Sequence, residues 1–340
     1  MSQALPPASG PRSGAVIWAL ILIAAGVIWL LRELDIFTAQ NMAVLLRLWP
    51  LILIAIGVEL LIGRGSRAAS TLIVGATIIV LVALMFVGPS LGLAPNVGVK
   101  TLSLSEPVGE AASARMNLGV GVGNASVTAL SDSNNLIEAD LRYVGEVQFD
   151  VAAGAQTVVT LNHEQTTASS GFDFFGWTLA LDPSDLHWNI LLTPAIPIDL
   201  TLNGGVGTSH VDLSSLQITR LAINTGVGDS VVTLPDSDDV LPVSVNGGVG
   251  RTTLTLPEGA ALIADINAGV GETFIDVPND AAVRIQIEGG LGGVTLPSAW
   301  QRTSGEDRNG VWESPTYGTA ASNDRIEIDY NGGVGGLRVD

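Results

Sequence analysis

The chain of 340 residues is long enough for one large domain or two ordinary ones. Its net charge is −18, but the first hundred residues carry six basic and three acidic side chains, so they sum to +3 and the remainder to −21. So acidic a remainder repels nucleic acid and bare anionic membrane, and the absence of cysteine excludes disulfides, thiolate catalysis and cysteine-ligated zinc.

Behind a short tail, 1–13, residues 14–31 read GAVIWALILIAAGVIWLL, eighteen residues without a charge. As a helix they extend roughly 27 Å, close to the apolar thickness of a bilayer. A cleaved signal peptide would be followed by small residues, whereas Arg32 and Glu33 stand there, so a retained span is expected. A second apolar run, 43–62, contains Trp49-Pro50 and has Arg47 and Glu59 towards its two ends. A charge in lipid is a functional candidate; near a helix end its long stem can instead reach the headgroups. Residues 42–48 could also form a short interfacial helix, with a shallower insertion from Pro50. The third run, 71–87, ends at Gly88-Pro89. These readings give a helical membrane domain at 14–87 and a linker at 88–106.

Three spans put the two ends of the chain on opposite sides of the membrane. Arg12, Arg64 and Arg67 share one side, and Arg32, Lys100 and, depending on the second span, Arg47 the other. This leans towards a cytoplasmic N-terminus and an extracytoplasmic acidic half.

Residues 107–340 are built on a repeat. The corners are Asn203, Gly205 and Gly207; Asn224, Gly226 and Gly228; Asn246, Gly248 and Gly250; Asn267, Gly269 and Gly271; Gly290 and Gly292; and Asn331, Gly333 and Gly335. The first glycines of these sets are separated by 21, 22, 21, 21 and 43 residues, a period near 21 with the last step read as two. A short alternating strand precedes each corner, as at 198–202 and 243–245, and another follows, as at 232–234 and 254–256. Pro235, Pro257, Pro278 and Pro297 end the second strand, since proline cannot donate to a ladder.

The expected fold is therefore an all-β, right-handed parallel β-helix or solenoid of about 21-residue turns. Leucine-rich repeats need an L-x-x-L-x-L core and propellers a longer period, and neither fits. Glycine at the corner permits positive φ and close stacking. The valine between the glycines is expected to point inward, and the asparagines to form a ladder or close their own turns. A phosphate-binding loop would need one strand–loop–helix with a lysine, not six corners between strands. Gly121 stands 84 residues before Gly205, so four further turns are expected between them, giving about ten turns and a rod roughly 50 Å long.

Two segments break the rhythm. One, 164–177, carries Phe172, Phe174, Phe175 and Trp177; the other, 300–322, carries Trp300, Trp312 and Tyr317 and takes the place of a missing corner. Insertions on a solenoid become loops, so Phe172, Phe174, Phe175, Trp177, Trp312 and Tyr317 are candidates for partner contact, the alternative being packing on the core.

The run I-L-I-A-A-G-V-I-W-L-L at 21–31 followed by W-P-L-I-L-I-A-I-G-V-E-L-L at 49–61 resembles the LiaI/LiaF-type transmembrane region. The run W-N-I-L-L-T-P-A-I-P-I-D-L-T-L-N-G-G-V-G at 188–207, with R-I-E-I-D-Y-N-G-G-V-G-G-L-R-V at 325–339, is similar to the C-terminal domain of LiaF-like proteins and to toast-rack or adhesin-like β-repeat domains. The resemblance implies a bacterial membrane protein that holds a sensor histidine kinase inactive until the envelope is stressed. It brings no catalytic residues with it.

The three histidines, His163, His187 and His210, have no metal or triad spacing and are expected on strand faces. The acidic run 236–239 is a weak calcium candidate and better read as a solvated loop. No cofactor, metal or catalytic residue is expected. The expected function is non-enzymatic: an anchored envelope sensor or regulator acting through a membrane partner and an envelope ligand. The alternative is a surface scaffold or adhesin-like binding protein.

Overall fold

A computed structural model describes residues 44, 48–62, 67–88, 91, 99–164 and 185–340, apart from 238, 260 and 307. The expected first span, 14–31, and the aromatics Phe172, Phe174, Phe175 and Trp177 lie outside the described residues. The chain divides into an N-terminal unit and a β unit that begins at Gly98.

In the N-terminal unit two helices are described, α1 (Trp49–Ile62) and α2 (Arg67–Val87). Three spans are therefore not all seen. Helix α1 starts at the Trp49-Pro50 pair, where proline fits because a first-turn amide has no helical acceptor. Among the described residues no helix meets both the length and the hydropathy of a membrane span. The membrane assignment rests on the sequence and on the family match reported below.

The β unit consists of two sheets, of ten and eleven strands among the described residues. The first runs in space through Lys100–Pro107, Asn135–Tyr143, His187–Leu192, Asn124–Ala129, Ser209–Asp212, Val227–Thr233, Val249–Thr255, Val270–Asp276, Leu337–Val339 and Val294–Thr295. The second runs through Gln301–Glu306, Asn309–Glu313, Ala282–Glu288, Arg325–Asn331, Leu262–Asn267, Leu241–Asn246, Ile218–Asn224, Ile198–Asn203, Ser113–Gly119, Gln156–Glu164 and Glu146–Ala152. The central strands pair parallel and in register, so that Asn224 lies opposite Asn246 and Val232 opposite Leu254.

Alternation decides what is buried. Ile223, Val245 and Ile266 point inward from the second sheet, and Val232, Leu254 and Ile275 from the first. Fully burying one such aliphatic side chain contributes roughly 1.5–3 kcal/mol, and repetition at every turn makes one continuous core.

Two expectations about the turn count are corrected. Gly121 does not lie four turns from Gly205: the bridge Val122–Val206 puts the two corners on neighbouring turns. Of the 83 residues between them, Asn124–Ala129 stay in the stack beside Ser209–Asp212, and a later stretch leaves it. In that stretch Asn135–Tyr143 pairs antiparallel with the earlier strand Lys100–Pro107, and Glu146–Ala152 with Gln156–Glu164, and these pairs close one end. Lys100 and Glu146 join the two outer strands of that end in an ion pair at 2.5 Å.

At the other end the 43-residue step is not two successive turns. Strand Arg325–Asn331 pairs with Leu262–Asn267 on one side and Ala282–Glu288 on the other. The last turn is thus inserted between two that precede it in sequence. The hairpin of Gln301–Glu306 and Asn309–Glu313, read from sequence as filling a missing corner, instead covers the outer edge of Ala282–Glu288. The corner glycines therefore stack in the order Gly121, Gly205, Gly226, Gly248, Gly269, Gly333, Gly290. Six steps of about 4.8 Å make a row of corners roughly 29 Å long, and the antiparallel strands at both ends extend the two sheets beyond it.

Candidate functional site

The corner is the most repeated feature of the chain, and each of its positions has a separate physical cause. Gly226 carries no Cβ because one would collide with the carbonyl oxygen of Gly205. That oxygen also accepts the Val227 amide at 2.9 Å. Gly228 has φ +133° and is crowded by the Gly207 carbonyl in the same way, so both conformation and space require glycine.

The position before the first glycine follows a different rule. In stack order it reads Val120, Gly204, Thr225, Gly247, Ala268, Gly332, Gly289. From Val120 to Gly332, side chains alternate with glycines. A Cβ on Gly204 would sit 2.8 Å from the Gly226 nitrogen, and one on Gly247 would crowd Gly269 and the Asn267 carbonyl oxygen. From the preceding rung, the Thr225 hydroxyl accepts the Gly248 amide at 2.6 Å and donates to the Asn246 carbonyl at 3.3 Å. Gly247→Ala is therefore expected to cost about 1–3 kcal/mol through overpacking, whereas Ala268→Gly costs less than about 1 kcal/mol. Urea midpoints of the two full-length variants in detergent test this; equal midpoints would remove the alternation rule.

The asparagines form a directional ladder. Asn203 Nδ2 donates to Asn117 Oδ1, Asn224 to Asn203, Asn246 to Asn224, Asn267 to Asn246 and Asn331 to Asn267, at 2.8, 2.8, 2.8, 3.2 and 3.1 Å. Asn117 was not singled out from sequence, because it stands two residues before the corner position, where Gly119 has no side chain to offer. The order continues to Glu288, opposite Asn331, where an acceptor-only carboxylate ends the run. Asn246→Ala removes one donated and one accepted bond. At about 0.5–1.5 kcal/mol each, and towards the lower end for these exposed groups, the expected loss is about 1–2 kcal/mol. A thermal melt should show it, and an unchanged melting temperature would mean that water replaces both bonds at no cost.

The corner aliphatics do not point inward as expected. Val206, Val227, Val249, Val270, Val334 and Leu291 are each 46–73% exposed. The reason is strand parity. Strand Val227–Thr233 begins at the valine itself, and buried Ser230 and Val232 fix the inward positions, so Val227, Asp229 and Val231 must face outward. Successive valines bridge one another along the stack.

The other candidates are dispersed. Tyr317 is buried under the Arg325 guanidinium, 4.9 Å from the ring centroid, and its hydroxyl donates to Glu327 at 2.9 Å. Burial, then the Glu327 carboxylate, push this phenol above its ordinary range. Trp300 and Trp312 pack against the core.

His163 Nε2 lies 2.6 Å from the Val144 carbonyl oxygen, and its ring meets buried Trp188 edge-on at 5.4 Å. His187 Nε2 lies 3.1 Å from Asp140 Oδ1, while the Ser103 hydroxyl donates to Asp140 Oδ2 at 3.1 Å. Those two hydrogen bonds, His187 first, hold the Asp140 carboxyl below its usual range. A nucleophile relay needs the imidazole in the middle; here the carboxylate is in the middle. His210 is exposed on a strand of the first sheet. Among the described residues no three His, Cys, Asp or Glu side chains gather as metal ligands. In the 236–239 turn the Ser237 hydroxyl donates to the Asp239 carbonyl at 2.8 Å.

Comparison with known proteins bears on the fold and the family. A family model for the N-terminal domain of toast_rack, DUF2154, matches residues 96–255, and one for the LiaI-LiaF-like transmembrane region matches 16–61. The chain is similar to the crystal structure of a candidate cell adhesion protein from Clostridium sporogenes, at 20% identity, covering 71% of this chain and 98% of that one with a TM-score of 0.45. It is also similar to a candidate adhesin from Bacteroides fragilis, at 14% identity, covering 71% and 97% with a TM-score of 0.28. No curated protein matches. Together the matches at 16–61 and 96–255 support a LiaF-like membrane protein with a toast-rack domain.

Proposed function

We propose that the protein is a non-enzymatic regulator of the envelope-stress response: its helices contact a membrane partner, a sensor histidine kinase, and its β stack binds an envelope ligand. The observation that carries this reading is the pairing, in one chain, of a LiaI-LiaF-like membrane segment with a toast-rack domain. The stack supports a binding role, since its in-register parallel strands present fixed, repeated outer rows. Regulation of this kind needs a ligand that binds two states of the assembly unequally.

The experiment is deletion of the gene with readout of envelope-stress transcription, together with co-purification from membranes. A changed stress response and a co-purifying kinase support the proposal. Binding to wall material with an unchanged response would favour a surface scaffold or adhesin.

The same reading places the N-terminus in the cytoplasm and the β unit outside. The exposed Asp236 and Asp239 mark a place for a protease-cleavable tag. Cleavage in intact cells is expected, and protection until lysis would put the β unit inside and turn the search for partners to the cytosol.

A further inference from the structure

The stack builds a reactive dipeptide into its own corners. From Ile198–Asn203 to Arg325–Asn331 the central strands of the second sheet end in a ladder asparagine, and the alternation described above puts glycine after it at every other rung. Asn203-Gly204, Asn246-Gly247 and Asn331-Gly332 result. A further such pair, Asn309-Gly310, lies in the end hairpin, where the Asn309 side-chain oxygen accepts the Gly289 amide at 2.7 Å.

Asparagine followed by glycine is the sequence most open to spontaneous deamidation, because glycine has no Cβ to shield its nitrogen and bends freely. The glycine nitrogen attacks the asparagine Cγ. The bond from Cγ to the side-chain nitrogen breaks, and ammonia leaves with the proton of the attacking amide. Water then opens the resulting five-membered succinimide at either carbonyl, giving aspartate or isoaspartate. The only co-reactant is water.

The fold opposes this step at both reacting groups. Each glycine amide donates to a carbonyl of the next rung at 2.7 Å: Gly204 to Asn224, Gly247 to Asn267 and Gly332 to Glu288. The side-chain amides are pinned by the row. Asn203 donates to Asn117 and accepts from Asn224, and Asn246 donates to Asn224 and accepts from Asn267. For either of these to react, its two ladder bonds and the glycine bond must break together, which requires the stack to open at that rung.

Asn331 is held less firmly. It donates to Asn267 at 3.1 Å, but among the described residues no group donates to its Oδ1. Glu288 stands opposite on the next rung, and its carboxylate has no proton to offer and repels that oxygen. The acceptor of the Gly332 amide belongs to the same rung, the last corner of the stack, whose first-sheet strand is only Val294–Thr295. Local opening concentrates at such ends.

From this asymmetry we infer that Asn331 is a site of spontaneous deamidation in the folded protein, whereas the same dipeptide is shielded at Asn203 and Asn246. The product has no side-chain N–H for the Asn267 oxygen and sets a second carboxylate beside Glu288. Isoaspartate also lengthens the main chain by one carbon. Strand Arg325–Asn331 joins Leu262–Asn267 to Ala282–Glu288, so conversion loosens this end of the β unit with age, while the row from Asn117 to Asn267 stays intact.

The test is to hold the full-length protein in detergent for days at mildly alkaline pH. Its peptides are then mapped for isoaspartate and for the gain of about 1 Da that accompanies loss of the amide. In guanidinium chloride, where the stack is lost, the three row pairs are expected to convert at similar rates. In the folded protein Asn331 is expected to convert about fivefold or more faster than Asn203 and Asn246. Glu288→Gln, which puts a donor opposite the free oxygen, should slow Asn331 severalfold with unchanged circular dichroism. Asn224→Ala, which removes the donor to Asn203, should speed Asn203 severalfold. Asn331 converting no faster than Asn203 and Asn246, or staying intact while the unfolded chain is fully converted, overturns the inference. So does conversion of Asn203 and Asn246 at the unfolded rate, or a rate at Asn331 indifferent to Glu288→Gln. These readouts involve neither kinase nor envelope ligand, so they can fail while the regulatory reading stands, and the reverse.

Discussion

Alanine at Gly226 is expected to prevent the β unit from folding. The added Cβ falls inside the carbonyl oxygen of Gly205, a backbone atom already held by the Val227 amide at 2.9 Å. No rotamer change relieves the clash; the turns must separate, which breaks the ladder on both sides of that rung. Opening the stack locally costs more than about 4 kcal/mol, in the range of the most severe single substitutions and a large share of the 5–15 kcal/mol that holds a typical domain together. Thr225→Ala, one residue earlier, loses only the Thr225 hydroxyl bonds and is expected to cost about 1 kcal/mol. Circular dichroism of both variants through a urea titration separates the cases. A Gly226→Ala midpoint equal to that of Thr225→Ala would mean that the turns do not approach this closely.

Trp188→Ala carries the second large effect. Trp188 is fully buried, its indole N–H donates to the Val122 carbonyl at 3.2 Å, and its ring packs on Tyr143 at 5.9 Å and on the edge of His163. It sits where the departing and returning chain rejoin the first corner, so its loss opens a cavity and frees a carbonyl together. A cost of about 3–5 kcal/mol is expected, with new proteolysis within residues 99–164. Trp188→Phe keeps most of the packing and is expected to cost about 1–3 kcal/mol, since the Val122 carbonyl loses its donor. Resistance of Trp188→Ala to protease at the wild-type level would show that this end of the stack is held from elsewhere.

The repeat was legible because glycine and asparagine recur at fixed steps for backbone reasons that act locally. Which turns are neighbours was not. The distance from Gly121 to Gly205 is a multiple of 21, but an excursion of any length can leave and re-enter a stack, and only the pairing of Val122 with Val206 settles it. An inward valine follows only if the corner is a space to be filled, whereas strand parity decides the direction. Counting parity back from Val232 places Val227 outside, and that count was available in the sequence. The alternation of Gly204, Thr225, Gly247, Ala268 and Gly289 stands in the sequence itself; what the sequence hides is that Gly332, 64 residues after Ala268 in the chain, is the residue that follows it in space. Of the aromatics proposed for partner contact, Tyr317 packs inside because the hairpin beside it covers a strand edge.

The inserted last turn also bears on how the chain is made. A ribosome delivers Leu262–Asn267 and Ala282–Glu288 well before Arg325–Asn331, yet in the finished protein the late strand lies between the two early ones. Direct pairing of the early strands is the error open to a nascent chain, and the amide row argues against it. The Asn267 side-chain oxygen needs a donor from the next rung. Asn331 supplies one at 3.1 Å, whereas Glu288 would bring only a carboxylate. Until residue 331 emerges, the edge of Leu262–Asn267 stays unpaired and its apolar face open. The interval between synthesis of Leu262–Asn267 and of Arg325–Asn331 is thus one in which a strand edge stands open to the wrong partner.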